Sequence, residues 1–241
     1  MAGEIIKTQG IVLNIHPWSR TSHIVAWLTP DHGVVATLVK GAVRPKSAFL
    51  GQYDLFYACD LLYYVRATGD LHALREVVPR ERHDALRGRW RETSLAGYAA
   101  SLLRELTPPS GESAAWYAFF ETFLAELSAP VPTPPDPARL SRALVKLEMT
   151  ILRLAGLEPD FAGLEATAEW TPFSIDRGRC GNGTRTVRIT PATVIALTRP
   201  DAASTPAEAL SDAVRFLGLF LNYHIEMTPE IRRTLLHAMA G

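Results

Sequence analysis

A short basic segment near the N-terminus has the residue types and spacing needed to bind phosphate. Lys40, Arg44 and Lys46 lie within residues 40–47, KGAVRPKS, and no acidic residue occurs among residues 32–53. A glycine and a proline interrupt the run, as in a loop. Ammonium and guanidinium groups bind the phosphates of nucleic acids in a salt-dependent way. The segment therefore predicts a DNA-binding loop, although a solvated hairpin loop without a ligand has the same composition.

A second basic run follows about forty residues later. Between its first and last arginine the only acidic residues are Glu81 and Asp84. The five arginines are Arg80, Arg82, Arg87, Arg89 and Arg91. Such a run is commonly a solvated helix face. If it lies beside the loop, it can extend a basic groove, and we include Arg80 and Arg82 in the predicted DNA-binding set.

A third basic stripe has the spacing of a helix. Arg139, Arg142 and Lys146 recur at about one-turn intervals beside apolar Leu144 and Leu147. The stripe is either a solvated face or the basic rim of a hydrophobic groove. A rim of this kind suits an acidic peptide with an apolar end, because the cations attract its carboxylates while the groove buries its apolar side chains.

Residues that support catalysis or bind metals are present but scattered. The seven histidines form no H-E-x-x-H pair, and neither a G-x-S-x-G elbow nor a phosphate-binding G-x-x-x-x-G-K-[ST] loop occurs. The two cysteines, Cys59 and Cys180, form no C-x-x-C pair, and one thiol cannot build a structural zinc site. We expect no catalytic residue, no metal site, no cofactor and no enzymatic activity.

The first 80 residues have the pattern of a small barrel. Apolar residues alternate in the runs 11–15, 24–28 and 34–39, separated by His16-Pro17 and by Asp31-His32-Gly33. Two further strands are predicted over residues 54–66 and 71–78. Five short strands in this order are typical of an OB-type barrel, whose loops bind oligonucleotides.

After Pro79 the apolar period changes to that of helices. Helices are predicted to begin near Leu86 and over residues 113–127, 140–154, 207–223 and 229–239. The proline-rich segment 130–137 is predicted to be a rigid linker. Residues 157–200 carry five acids followed by five arginines and an Asn-Gly turn, which indicates a small β-excursion. The fold class is therefore α+β, with a barrel over residues 1–80 and a mainly α-helical domain over residues 81–241.

Composition limits the functional class. The 241 residues carry 25 basic and 25 acidic side chains, so a strongly cationic nucleic-acid binder is excluded but a local patch is not. Only four of the basic residues are lysines. Two thiols, an N-terminus without a leader-like apolar run and the absence of a membrane-length apolar segment predict a cytoplasmic protein without a membrane partner.

Several of these motifs together resemble the RecO family of bacterial recombination mediators. They are the strand pattern with the Thr29-Pro30-Asp31-His32-Gly33 turn, the 40–47 loop, the later Gly69-Asp70-Leu71, the Leu154–Pro159 segment and the closing sequence FLGLFLNYHIE. The resemblance extends over the whole chain. Many members carry a four-cysteine zinc module where this chain has residues 158–188 with Cys180 alone, so the insertion around residues 157–200 is expected to be zinc-free.

The resemblance implies an N-terminal OB domain and a helical C-terminal domain. It implies binding to single- and double-stranded DNA and annealing of complementary strands. It also implies contacts with RecR and with the C-terminal tail of the single-strand-binding protein, so that RecA is loaded during DNA repair. The 139–146 stripe is the candidate dock for that tail. The alternatives are a non-catalytic OB-fold adaptor in translation or protein scaffolding and, third, a nuclease or ligase.

Overall fold

The chain folds into two compact units, Met1–Ala129 and Pro130–Gly241. The computed structural model describes residues 4–66, 69–109, 111–165, 167–202, 205–225 and 229–240. The division falls at the start of the proline-rich segment, whereas the change of apolar period placed a domain boundary at residue 80. The first unit continues beyond that point because two helices pack on the barrel.

The first unit contains a closed five-stranded barrel, as the sequence predicted. The strands are β1 (Ile5–Ser19), β2 (Ser22–Thr29), β3 (Gly33–Val39), β4 (Ala58–Tyr64) and β5 (Leu71–Glu81). Their order is β1-β2-β3-β5-β4, and β4 closes the barrel against β1. β3 and β5 pair in parallel, while the other neighbouring strands are antiparallel. This arrangement is that of an OB-type barrel.

Several predicted strand limits were wrong, and the fifth strand, predicted to end at Val78, continues to Glu81. β1 does not end at His16-Pro17 but continues to Ser19, with Pro17 opposite His23 and a register irregularity immediately after it. Proline lacks a donor for the strand ladder, and irregular positions of this kind tolerate it. The fourth strand begins at Ala58 and not at Asp54, because Tyr57 N–H donates to Asp54 O in a turn at 3.1 Å.

Residues 40–57 close one end of the barrel. Ala42 and Tyr57 are buried with barrel residues such as Val12 and Trp27, and Phe49 and Tyr53 pack against the same core. Inside the barrel, Trp27 Nε1 donates to Thr37 Oγ1 at 2.8 Å, which satisfies its one polar atom. The connection between β3 and β4 is therefore part of the core on one side and faces solvent on the other.

The turn between β2 and β3 is fixed by a buried serine. Ser113, fully buried, accepts Gly33 N–H at 3.0 Å and donates to Pro30 O at 2.9 Å. Gly33 has φ +65°, and a Cβ there would lie 2.6 Å from Pro108 O. Glycine is required because its neighbour across the contact is backbone and its own conformation is left-handed.

Two helices and a short 3-10 helix complete the first unit. They are the 3-10 helix Asp84–Gly88, α1 (Trp90–Leu106) and α2 (Ala114–Ser128). Leu86, the predicted start of the first helix, lies in the 3-10 helix, and the arginine run before it belongs to the end of β5 and the following corner. Arg89 Nη1 donates to three carbonyls at the end of α2, with Ala129 O closest at 2.7 Å. Arg89 therefore has a structural role.

The second unit is mainly helical with a small sheet. Its helices are α3 (Arg139–Leu154), α4 (Pro191–Thr198), α5 (Ala207–His224) and α6 (Pro229–Ala240). The sheet has the order β7-β6-β8, from β6 (Thr171–Ser174), β7 (Arg179–Cys180) and β8 (Thr186–Ile189). This sheet is the predicted β-excursion, but helix α4 within the segment was not predicted. Among the described residues, no helix is both long and apolar enough to cross a membrane.

An aromatic cluster and one carboxylate hold the small sheet. Phe173 of β6 packs edge-on against Phe216 of α5, with ring centroids 5.0 Å apart, and also against Phe161 and Phe220. Asp176 accepts backbone N–H groups of Arg185 and Thr184 and the Ser174 hydroxyl. The Arg185 N–H is the main cause that lowers the pKa of Asp176 to about 2.

A buried ion pair fixes α6. Arg232 donates from Nε to Glu148 Oε1 at 2.6 Å and from Nη2 to Glu148 Oε2 at 3.0 Å. Nη2 also donates to Val214 O at 2.7 Å, and Glu148 is fully buried. A Cβ on Gly218 would lie 2.5 Å from Arg232 Nη1, so the absence of a side chain there leaves room for the guanidinium.

Removing the Ser113 hydroxyl should destabilise the first unit. Ser113→Ala leaves the Gly33 N–H and the Pro30 carbonyl without their buried partner, which costs about 1–3 kcal/mol. Thr122→Ala, which removes an exposed hydroxyl from α2, the helix that Ser113 precedes, should change stability by less than about 0.5 kcal/mol. Chemical denaturation of both variants measures the difference, and equal stabilities would mean that Ser113 does not anchor the turn.

Replacing Glu148 by a neutral residue should lower the free energy of unfolding much more than replacing an exposed carboxylate that pairs with an arginine. Glu148→Gln leaves the Arg232 guanidinium buried without its counter-charge, and breaking such a pair costs about 3–5 kcal/mol. Glu158→Gln removes the same charge from the exposed pair with Arg153 and should cost at most about 1 kcal/mol. Urea unfolding of the full chain compares the two, and similar midpoints would contradict the assigned role.

Candidate nucleic-acid interface

The 40–47 segment is an ordered series of turns rather than an open loop. Arg44 N–H donates to Gly41 O at 3.1 Å, and Ser47 N–H donates to Arg44 O at 2.9 Å. Gly41 has φ +68°, and a Cβ there would lie 3.2 Å from Arg44 Cδ. Buried Ala42 anchors the segment in the barrel core. Lys40, Arg44 and Lys46 are exposed, so the structure presents all three predicted cations to solvent on a fixed backbone.

The turn between β1 and β2 lies against this segment. Val43 N–H donates to Thr21 O at 3.4 Å, and Gly41 N–H donates to Ser22 Oγ at 3.3 Å. The end of β1 exposes Trp18, 60% accessible, and the turn exposes Arg20. We call Trp18, Arg20, Lys40, Arg44 and Lys46 together the hairpin–loop surface. It combines four cations with one exposed aromatic ring, the two components that proteins use to hold single strands.

None of the four cations is neutralised within the described part of the chain. Each of Arg20, Lys40, Arg44 and Lys46 lacks a carboxylate within ion-pair distance there. Unpaired cations on an ordered segment can contact phosphates without first breaking an internal salt bridge. The chain therefore has a local positive surface although its formal net charge is zero.

Most other aromatics near the barrel are not available to stack on bases. Trp27, Phe56, Tyr57 and Tyr63 are buried. Tyr53 is half-buried, its hydroxyl lies 2.8 Å from His23 Nδ1, and burial raises its pKa to about 12. These residues belong to the core, whereas the Trp18 side chain is exposed to solvent. Sequence reasoning did not distinguish Trp18 from Trp27, although the polar neighbours of Trp18 and the adjacent proline could have done so.

Arg80 and Arg82, also predicted to bind DNA, have different surroundings. Arg80 Nε lies 3.8 Å from Asp60 Oδ1, so a carboxylate partly neutralises it. Arg82 is exposed, and its guanidinium carbon lies 5.9 Å from the centroid of the Tyr57 ring. The structure thus brings the loop cations together with Trp18 and Arg20, but places Arg80 and Arg82 beside other partners.

The predicted peptide dock on α3 is only partly exposed. Leu144 and Leu147 are fully buried, so the second unit's own core occupies the apolar half of that dock. Arg142 pairs with Asp136, while Arg139 and Lys146 make further interactions. A cavity of about 300 Å³ lies beside the first turn of α3, lined by Ala138 and Ser141 and by Leu210 and Val214 of α5. That Arg139, Arg142 and Lys146 bind a peptide stays a prediction.

The 157–200 segment does not have the ligands of a four-thiolate metal site. Cys180 is its single thiol, and the other cysteine, Cys59, is buried in the barrel of the first unit. Among the described residues, no group of three or more histidine, cysteine or acidic side chains is placed to hold a metal. The expectation that the segment binds no zinc stays a prediction.

Comparison with known proteins agrees with this architecture. The family model described as Recombination protein O N terminal matches residues 1–82, and Recombination protein O C terminal matches residues 87–233. Proteins named DNA repair protein RecO from Anaeromyxobacter dehalogenans (strain 2CP-C) and Anaeromyxobacter sp. (strain K) are each 31% identical over 95% of both chains. One from Azoarcus sp. (strain BH72) is 32% identical over 56% of this chain and 54% of its own. The chain belongs to the RecO family.

Proposed function

We propose that the protein acts in DNA repair by binding single- and double-stranded DNA through the hairpin–loop surface. One observation carries the proposal: four cations without a carboxylate partner among the described residues and an exposed tryptophan lie on one hairpin and loop of a closed OB-type barrel. The turn between the first two strands is one of the positions at which this fold binds oligonucleotides. The cations supply an affinity that is independent of sequence, and the Trp18 ring can stack on any base.

Membership of the family supports a more specific proposal about strands and partners. We propose that the bound strands are annealed and that the protein, with RecR, helps to load RecA onto DNA covered by single-strand-binding protein. The C-terminal tail of that protein would contact the second unit near Arg139, Arg142 and Lys146. The cavity beside the first turn of α3 supports this position, because it offers a mainly apolar depression at the start of the helix that carries the three cations. The names of the relatives support the repair role itself.

We propose further that the protein is not an enzyme and that it acts by binding. Its role would be to hold strands and partners in position, and the DNA-binding groups described above include no nucleophile paired with a base. A protein-only adaptor is the second candidate, since exposed Val43 and Leu50 in the 40–57 connection could contact a protein partner. Salt-dependent DNA binding separates the two functions, because an adaptor that contacts only proteins gives none.

Reversing the loop charges should weaken DNA binding broadly. In the triple variant Lys40→Glu, Arg44→Glu and Lys46→Glu, affinity should fall for all sequences, and the slope of log K against log salt should flatten by about one unit per lost phosphate contact. Fluorescence anisotropy at several salt concentrations measures both quantities. The control reverses Arg104, Arg153 and Arg215, exposed arginines of α1, α3 and α5, and should leave the slope unchanged. Wild-type binding by a folded triple variant would remove the loop from the site.

Truncating Trp18 should affect single strands more than duplexes. Trp18→Ala removes a ring that can stack only on unpaired bases, so affinity for single-stranded DNA should fall by about 1–3 kcal/mol while duplex affinity changes little. Trp90→Ala is the matched control, because Trp90 is comparably exposed, at 54%, but begins α1. Parallel titrations with an oligonucleotide and its duplex provide the test. A proportionate loss for both DNAs would show that Trp18 does not stack on bases.

A further inference from the structure

One edge of the small sheet in the second unit carries arginines that are exposed to solvent. The strand order β7-β6-β8 leaves one side of β8 without a neighbouring strand among the described residues. Arg188 lies on β8, and Arg185 directly precedes that strand. Neither guanidinium lies within ion-pair distance of a carboxylate in the described part of the chain. The edge therefore presents two cations that no described acidic side chain neutralises.

Each of these arginines is stacked on a partly exposed aromatic ring. The guanidinium carbon of Arg188 lies 4.5 Å from the centroid of the Trp170 ring. That of Arg185 lies 5.2 Å from the centroid of the Tyr223 ring, and both rings are 41% exposed. A cation–π contact engages the face of a guanidinium and leaves its N–H donors unused. The rings thus hold both groups in place while their donors stay available to a ligand.

Hydrogen bonds also fix the backbone that carries the two arginines. The Arg185 N–H donates to Asp176 Oδ1 at 3.0 Å, and the Arg185 carbonyl accepts the Ile175 N–H at 2.8 Å. Arg188 is held in the sheet, where it is paired with Pro172 of β6. Groups that are ordered before a ligand arrives lose less conformational entropy when it binds. The edge is therefore preorganised at the backbone and at the side chains.

The spacing of the two cations favours an extended polyanion as the ligand. They are three residues apart, which corresponds to about 10 Å along an extended chain. Because each guanidinium is held on its own ring, a ligand with charges repeated along its length engages both better than a single anion does. A cavity of about 230 Å³ between β8 and α5, with Val187, Arg188 and exposed Leu219 among its lining residues, leaves room beside the edge. The planar guanidinium matches the geometry of a phosphate group.

We propose that Arg185 and Arg188, stacked on Tyr223 and Trp170, bind the phosphate backbone of a second strand of DNA. We call these four residues the arginine–aromatic edge. Phosphate oxygens would accept hydrogen bonds from both guanidinium groups, with an affinity that is independent of sequence. Each unit would then hold one strand, which brings two strands onto the same chain. The assignment rests on the proposed function for the first strand, which the hairpin–loop surface holds.

Energy transfer between two labelled strands tests this assignment. Donor-labelled and acceptor-labelled (dT)15 cannot pair with each other, so transfer between them reports that the protein holds both. With the wild-type full chain at low salt, transfer should rise as protein is added and then fall, because excess protein separates the strands. In the double variant Arg185→Gln and Arg188→Gln, the maximum transfer should fall at least about fivefold, because two phosphate contacts of the second strand are lost.

Matched variants and a second readout control this experiment. Arg153→Gln with Arg199→Gln removes two exposed arginines of the same unit, one paired with Glu158 and one at the C-cap of α4, and should leave transfer unchanged. The charge-reversed pair Arg185→Glu and Arg188→Glu should abolish transfer. Anisotropy of a trace of labelled (dT)15 measures the first strand alone, and its affinity should change less than about twofold, because sites without shared residues act independently. Thermal unfolding checks that each variant is folded.

The outcomes separate this inference from the proposed function. Transfer that is lost in both edge variants and kept in the control supports the second-strand site. Salt-dependent binding of (dT)15 without transfer in the wild type, or with transfer that the edge variants do not change, overturns the second-strand site but leaves DNA binding standing. Absence of salt-dependent binding overturns both. Edge variants that keep wild-type transfer but lose a labelled peptide of alternating Asp and Glu would assign the edge to an acidic protein and overturn the DNA assignment.

Discussion

The parallel pairing of β3 with β5 is the constraint on which the rest of the first unit depends. Because β5 lies between β3 and β4 in the barrel, the chain cannot pass from β3 to β4 by a tight turn. It crosses the end of the barrel through residues 40–57. The crossing must bury its inner side, which it does with Ala42, Tyr53 and Tyr57. Its outer side is then free to carry charge.

This constraint explains how a chain of zero net charge can present a cationic site. The cations of the hairpin–loop surface need not be numerous, because the barrel holds their backbone in place and keeps carboxylates away from them. A preorganised surface loses less conformational entropy on binding than a flexible basic tail. The same crossing ends at Phe56, whose left-handed φ of +68° is held by its hydrogen bond to Val12 O.

Much of the barrel could be predicted from the sequence, because alternating apolar residues and glycine-containing turns report strand pairing directly. The basic loop was visible for the same local reason, since its cations are close in sequence and no acid interrupts them. The environment of Arg80 and Arg82 was not visible, because Asp60 and Tyr57 reach them only through the pairing and crossing of distant strands. The stripe on α3 was also only partly predictable. Its period revealed an apolar face, but only the folded structure shows that Leu144 and Leu147 are buried in the core. The burial of His83, whose Nε2 has no hydrogen-bond partner among the described residues, had no local signature in the sequence.

The location of bound DNA tests the account most directly. Single-stranded DNA carrying 5-iododeoxyuridine would be photocrosslinked to the wild-type protein, and the modified peptides would be identified by mass spectrometry. We expect crosslinks in residues 16–22 and 40–57, with Trp18 as a principal site, and we expect them to decline as salt is raised. Efficient, salt-sensitive crosslinking confined to residues 130–241 would contradict the assignment of the barrel as the DNA-binding surface.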